Sequence, residues 1–539
     1  MEGLMMDYPL TLAHLFERAG RYFPGREIVW RRPDKSIARS TYAEFHARVE
    51  RLANALTRLG LQRGDRVATL AWNHGRHLEA YFAIPLAGGV LHTVNPRLSP
   101  QDLAYIVNDA EDKFLLVDDV LVPVWERFRQ ECRVQHAIVW TNGGEVPKDM
   151  IDYEALIAPE LATFAFPRLE ESQAAGLCYT SGTTGRPKGV LYSHRALVLH
   201  SLVIALPDVL DISQADVVMP VVPMFHVNAW GLPFACTMLG AKQVFPGPHL
   251  DPASLLDLVQ RERVTITGGV PTVWLGILDA LEKNPKGWDH SSLKELIVGG
   301  SAAPQAMIEA FEKRHGLHVL HAWGMTEMSP VGTVCRLKAH LRDAPEAERM
   351  RMRATQGLPV PLVETRVLGE QGPVPADGSS MGELHVRGPW IARSYYKNPA
   401  EADKFTMDGW LRTGDVVTVD GEGYVRITDR SKDLIKSGGE WISSVDLENA
   451  LMGHPAVKEA AVVAVRHPKW DERPVACVVV REGSKVTENE LREYLEPNFA
   501  KFWLPDAFVF MEQIPRTAVG KFLKTELRAR LKDLKLPGA

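Results

Sequence analysis

Residues 179–189 read Tyr179-Thr180-Ser181-Gly182-Thr183-Thr184-Gly185-Arg186-Pro187-Lys188-Gly189. Hydroxyls (Ser181, Thr183, Thr184) alternate with glycines (Gly182, Gly185, Gly189), and the cation Lys188 follows. Glycines let a backbone turn its N–H groups inward around an anion, hydroxyls add donors, and lysine adds a point charge. That combination suits a polyphosphate. The apolar lead-in Ala174 to Tyr179 predicts a strand feeding the loop, and a helical pattern starts at His194. The stretch is not a Walker A loop, which ends Gly-Lys-Ser/Thr; here Pro187 precedes the lysine and Gly189 follows it.

Moving outward, strand-like apolar runs alternate with amphipathic helix-like runs through the first 400 or so residues. Arg66–Leu70 is followed by His77–Ala87, and Val264–Thr267 by Pro271–Leu281. This alternation predicts an α/β fold with parallel-type sheets. Gly382–Gly388 alternates with period two and reads as an antiparallel-type strand of a β-rich subdomain. Past residue 400 the texture changes. The turn-rich Gly409–Asp415 is followed by the charged run Asp429–Lys436 between two apolar segments, which places a junction there. The remainder carries strands at Ala460–Val465 and Ala476–Val480 and helices at Ser444–Met452 and Glu488–Tyr494, enough for a small α+β domain. The division expected is 1–428, a linker at 429–434, and 435–539.

The 539 residues exceed one domain, and 45% hydrophobic with 24% charged residues is ordinary for a soluble globular protein. A net charge of −5 gives no broad attraction to nucleic acid. The five cysteines, Cys132, Cys178, Cys236, Cys335 and Cys477, form no CxxC pair, which suggests a reducing, cytoplasmic compartment and no metal cluster. Cys178 reads as a small packed residue, because no base adjoins it. The N-terminus, with Glu2 and no long apolar core, does not read as a secretory signal, and no apolar run predicts a membrane span. Peripheral contact with a membrane surface stays open.

A second motif is His321-Ala322-Trp323-Gly324-Met325-Thr326-Glu327. A carboxylate just past a glycine turn can hold Mg²⁺ together with phosphate oxygens, and Trp323 offers a flat face to a purine. Gly299-Gly300-Ser301-Ala302-Ala303-Pro304, after the strand Leu296–Val298, could let a flat ring approach the backbone.

With Thr413-Gly414-Asp415, Asp429–Asp433 and Pro515–Lys521, these motifs resemble the adenylate-forming superfamily of acyl-CoA synthetases, luciferases and peptide-synthetase adenylation domains. The resemblance spans nearly the whole chain. Val221–Trp230 and Lys436–Glu448 look most like bacterial medium- and long-chain fatty-acyl-CoA synthetases. It implies a carboxylate attacking the α-phosphate of ATP, giving acyl-AMP and pyrophosphate, after which the thiol of CoA displaces AMP. It implies catalytic roles for Lys521, Glu327, Lys188 and His226. Mg²⁺ falls to Glu327 with Thr180, and the departing pyrophosphate to Lys188 and the loop residues 180–185. Nucleotide contacts fall to Gly300, Ser301, Ala302, His321, Ala322, Trp323, Gly324, Thr326, Asp415, Arg430, Lys432, Lys436 and Trp441. Asp415 and Arg430 suit the ribose hydroxyls. His226, Val227, Trp230 and Gly299 line the acyl pocket, with Trp230 as a gate. Gly438 and Gly439 border the path of CoA once the small domain has turned about Lys432. A homodimer is implied by analogy alone. Two departures stand out: Trp323 where relatives often carry Tyr, and His321-Ala322 where many carry Gln or Asn-Gly. A ligase for aryl or short acids, or one that never uses CoA, would share every motif above.

Overall fold

The computed structural model of the protein describes residues 1, 3–180, 186–438, 440–517 and 521–536. Four sheets organise them. The first has seven strands, in the order Ile151–Asp152, His136–Trp140, Asp112–Asp118, Arg66–Leu70, Val90–Thr93, Ala174–Tyr179 and Gly189–Ser193. All neighbours are parallel except the last pair. The second has nine strands, ordered Leu358–Pro359, Val331–Val334, His318–Gly324, Glu295–Val298, Ile266–Gly269, Val217–Pro220, Lys242–Phe245, Glu27–Arg31 and Ile37–Thr41. Its middle six are parallel and its edges antiparallel. The continuous apolar runs of these central strands follow from helices covering both sheet faces.

The helix Gly75–Leu86 shows how tightly the large sheets are joined. Every residue in it is buried. Its polar members are therefore partnered: Glu79 accepts from Arg48 at 2.7 Å and from Tyr153, and His77 contacts Thr69 at 2.9 Å. By contrast Leu12–Tyr22 buries only Leu12, Leu15, Phe16 and Ala19, the single stripe of an amphipathic helix. Both contribute to one core that also takes in the helices His194–Ile204 and Leu232–Leu239.

A third, antiparallel sheet runs Gly372–Pro373, Glu364–Gly369, Gly382–Arg387, Leu411–Val419 and Val425–Arg430. The fourth belongs to the C-terminal part: Glu440–Ile442, Ile435–Ser437, Asp471–Val480 and Val457–His467, with Ala507–Phe510 parallel to Asp471–Val480. Its long hairpin is covered on both faces. Val457, Ala460 and Val462 enter one cluster, while Ala461, Val463 and Val465 enter another. Period-two alternation thus sorts small apolar residues into two cores rather than into core and solvent. No helix of the described residues is long and apolar enough to cross a membrane.

Two sequence expectations change in detail. The phosphate-loop motif does not lead directly from strand to helix. It joins two antiparallel strands, with Tyr179 opposite Gly189, and the helix begins only after Ser193. The charged run 429–436 is not an open linker. Its first two residues end one strand, 431–433 form a turn, and 435 opens the next.

Candidate active site

The carboxyl ends of parallel strands from both large sheets converge on one place, the usual ligand position of open α/β sheets. Ala174–Tyr179 delivers Thr180 there, whose N–H donates to the Lys188 carbonyl at 2.9 Å while its Oγ1 accepts from the Lys188 N–H at 3.1 Å. Glu295–Val298 delivers Gly299 to Ala302, and His318–Gly324 delivers His321 to Gly324. The antiparallel sheet adds Asp415 and Arg430, which face each other in register. The C-terminal part closes the space with Lys521.

Two adjoining cavities result. One, of about 220 Å³, is lined by Gly300, Ser301, Ala302, His321, Trp323, Asp415 and Lys521 among others. Trp323 Nε1 donates to Asp415 Oδ2 at 2.8 Å, and Arg430 Nε lies 3.3 Å from Asp415 Oδ1. The carboxylate is thereby fixed from two sides. His321 Nε2 accepts from the Ala303 N–H at 3.2 Å, and burial lowers its pKa to about 4, so the ring is neutral. Gly300 has φ +86°, a conformation that favours glycine, which explains that position better than free access to a ring does.

The second cavity, of about 500 Å³, has a lining of mixed character. Thr180, Lys188, Glu327, Arg430, Lys432 and Lys521 are among its polar residues. Leu210, Val227, Trp230, Ile297 and Val331 are among its apolar ones. His226 also lines it, and burial, then the Lys521 and Arg97 charges, depress its pKa to about 3. It is therefore a neutral hydrogen-bonding group at any ordinary pH. Lys521 is lowered to about 8, by burial first and then by Arg430, against the pull of Asp415 and Glu327. Its segment is tied by Thr517 N–H to the Lys521 carbonyl at 2.7 Å.

Glu327 is 7% exposed and accepts from Tyr395 Oη at 2.5 Å through one oxygen. Its surroundings fit Mg²⁺, a hard cation that takes one or two protein oxygens and fills its shell with phosphate and water. Among the described residues no group of three or more His, Cys, Asp and Glu could hold a metal by itself. A magnesium ion would accordingly need the substrate's phosphates as well as Glu327 and Thr180.

Trp230 sits in an unusual segment. Val227, Asn228, Ala229, Trp230 and Gly231 all have positive φ, from +36° to +75°, making a short left-handed turn. Each non-glycine there costs about 1–2 kcal/mol. Packing and one side-chain bond hold it: Cys178 Sγ donates to Asn228 Oδ1 at 3.3 Å. The Trp230 ring lies against Gly299, where an added Cβ would come within 3.1 Å of it. Burial raises the Cys178 thiol to about 11, as suits a packed residue rather than a nucleophile.

Not every expected residue reaches the cavities. Lys436, Gly438 and Trp441 lie in or beside the paired strands Ile435–Ser437 and Glu440–Ile442, outside both linings. There Lys436 Nζ stands 5.4 Å above the Trp441 ring, and Gly438 packs against Trp470. Ser181, Gly182, Thr183, Thr184, Gly185 and Gly439 fall outside the described residues. Sequence reading passed over Tyr395, Glu401 and Gln356, which line the cavities. Their one local signal was the aromatic pair Tyr395-Tyr396. The Tyr396 N–H donates to Gly189 O at 2.8 Å, which pins that segment beside the phosphate hairpin.

The chain belongs to the AMP-binding enzyme family, whose model matches residues 16–396, and the model of that family's C-terminal domain matches 446–521. It is 55% identical to a long-chain-fatty-acid–CoA ligase of Thermus thermophilus, over 98% of this chain and 97% of that protein. It is 44% identical to a medium-chain-fatty-acid–CoA ligase of Ectopseudomonas oleovorans, over 99% of this chain and 98% of that one. Among solved structures it superposes with a TM-score of 0.88 and 25% identity on the anthranilate CoA ligase AuaEII in complex with anthranoyl-AMP, covering 98% of each chain.

Proposed function

We propose that this protein is an AMP-forming fatty-acid–CoA ligase for medium- or long-chain acids. In the first step a carboxylate oxygen of the acid bonds to the α-phosphorus of ATP, the bond to the bridging oxygen breaks, and pyrophosphate leaves. In the second the sulfur of CoA bonds to the acyl carbon and gives up its proton to solvent, the bond from that carbon to the bridging anhydride oxygen breaks, and AMP departs with that oxygen. The observation that supports the reading is the 500 Å³ cavity itself, whose lining combines the cations Lys188, Arg430, Lys432 and Lys521 with the apolar Leu210, Val227, Trp230, Ile297 and Val331.

Lys521 bridges the attacking carboxylate and the α-phosphate, orienting the nucleophile and offsetting charge that builds in the transition state. Asp415, held by Trp323 and Arg430, accepts from the ribose hydroxyls. Gly300 to Ala302 and the neutral His321 border the adenine. Lys188 and the hydroxyls of 180–184 receive the β- and γ-phosphates. Bound Mg²⁺ would supply charge neutralisation of those phosphates beside Glu327. His226 presents a neutral ring to the carboxylate, and Trp230 closes the acyl pocket.

In the same proposal residues 1–428 and 435–539 are units that turn about 429–434, so that Lys521 leaves and Gly438 and Gly439 border the path of CoA. Lys436 and Trp441 would then meet the nucleotide only after that turn. Cytoplasmic residence is supported by five cysteines that are all free thiols. Homodimerisation is carried over by analogy. The test is pyrophosphate release with carboxylic acids of rising chain length, with and without CoA. Activity should climb into the medium- and long-chain range, and AMP turnover should require CoA. A preference for benzoate or acetate, or full turnover without CoA, would overturn the reading.

A further inference from the structure

Two carboxylates line the cavity that the triphosphate would enter, Glu327 and Glu401. Around them stand Arg186, Lys188, Lys404, Arg430, Lys432 and Lys521. A cationic excess is what a polyanion requires, so each acid in the lining needs a reason. Glu327 has one, as the oxygen donor beside Tyr395. Glu401 has another partner altogether: its Oε1 lies 2.6 Å from Lys188 Nζ, the cation assigned to the β- and γ-phosphates. The pair is shielded, with side chains only 16% and 33% exposed. Lys188 also lies 5.4 Å above the Tyr395 ring, whose hydroxyl reaches Glu327. Glu401 sits on the short turn Pro399–Lys404, outside every strand of the site.

We propose that Glu401 is a competing anion for Lys188: it occupies the lysine while the phosphate site is empty, yields it to the β- and γ-phosphates of ATP, and retakes it as pyrophosphate leaves. The inference rests on the assignment of Lys188 to those phosphates. Its physical basis is that a partly dehydrated ammonium keeps a counter-ion wherever one is available. A carboxylate in reach lowers the net gain when phosphate binds, and it favours release by the same amount. Glu401 therefore weakens ATP and pyrophosphate equally and leaves AMP untouched, because AMP lacks the two phosphates concerned. The device limits product inhibition by pyrophosphate at the cost of some affinity for ATP.

Binding of ATP, pyrophosphate and AMP to the full-length enzyme, measured by calorimetry in the presence of Mg²⁺, tests this. Glu401→Gln should tighten ATP and pyrophosphate by about two- to fivefold, the span of a partly shielded ion pair. AMP should bind as it does to the wild type. Unchanged or weaker ATP binding, or an equal shift in AMP, overturns the proposal; weaker ATP with a steeper Mg²⁺ requirement would make Glu401 a second metal residue instead. Lys188→Met checks the assignment beneath. If it binds ATP like the wild type, the loop reading falls. If it weakens ATP while Glu401→Gln changes nothing, only the competition falls. In a Lys188→Met background, Glu401→Gln should have no further effect on pyrophosphate, and a persisting effect would show general repulsion rather than exchange of a partner.

Discussion

Lys521 concentrates the electrostatics of the site in one proton. Burial and the Arg430 charge lower its pKa to about 8, although Asp415 and Glu327 pull the other way. The folded value lies below that of an unfolded lysine, so between the two the unfolded chain binds more protons and stability rises with pH. At neutral pH the empty cleft thus holds a cation at a cost to stability, which an arriving anion offsets. In the proposed role activity runs in the opposite direction, because only the protonated amine would bridge carboxylate and phosphate. kcat/KM for ATP in pyrophosphate exchange reports the free enzyme and should fall as pH rises through about 8. In Lys521→Arg the guanidinium stays charged, so that alkaline limb should vanish even if the rate itself is much lower. A flat wild-type profile, or a limb that survives in the arginine variant, would remove Lys521 from this role. His226 gives the contrasting case. With a pKa near 3 it contributes no titration in the working range, and a pH limb near 6.5 should not be traced to it.

At the scale of elements, what could be read from the chain was whatever local periodicity determines. Helix Ser444–Met452 and strand Ala174–Tyr179 match their apolar patterns to the residue. The Gly189–Ser193 strand is too short for periodicity to mark, although Val190-Leu191-Tyr192 suits a strand, and pairing with Ala174–Tyr179 is what fixes it as one. The left-handed turn 227–231 was invisible for a stronger reason: nothing in Val-Asn-Ala-Trp favours positive φ except Asn228, so tertiary packing imposes it. The candidate site divides the same way. Motif residues such as Asp415, Trp323 and Lys521 were legible, whereas Tyr395 and Glu401 arrive through chain crossings that no window of sequence records. The turn also carries a prediction. Trp230 is held against Gly299 by a backbone in strained conformation, so the indole has somewhere to go if the strain relaxes. Trp230→Ala should weaken fatty-acid binding by about 1–3 kcal/mol through lost apolar contact. More sharply, the gain in fatty-acid affinity given by a non-hydrolysable ATP analogue should shrink in the variant. If the analogue gives no gain in the wild type, or the same gain in both proteins, Trp230 is packing and not a gate.

The whole molecule is organised by the join between its large and small parts. In the observed orientation Asp429 Oδ2 accepts from the Ser444 N–H at 2.7 Å and from Ser444 Oγ at 2.6 Å, while Ser443 Oγ donates to Thr428 O at 2.5 Å. Within the small part Lys524 pairs with Glu448 at 2.7 Å, and burial raises Glu448 to about 7. These contacts accompany the placement of Lys521 in the cavity lining, the arrangement that the proposed adenylation step would use. Between the parts lies one tight turn, in which the N–H groups of Asp433 and Leu434 both donate to Arg430 O, at 2.8 and 2.9 Å. Proline at 432 would push Ser431 out of the helical region that such a turn requires. Lys432→Pro should therefore disfavour the observed orientation more than any other. Acyl-AMP formation from ATP and fatty acid should fall by at least about tenfold, roughly 1.4 kcal/mol of bias between orientations. Thioester formation from supplied acyl-AMP and CoA should fall much less, since in the proposed mechanism it draws on the turned orientation, which the proline spares. The two half-reactions, measured separately in the same preparation, decide the matter: an equal loss in both would mean that the turn at 431–433 supports the fold without acting as its pivot.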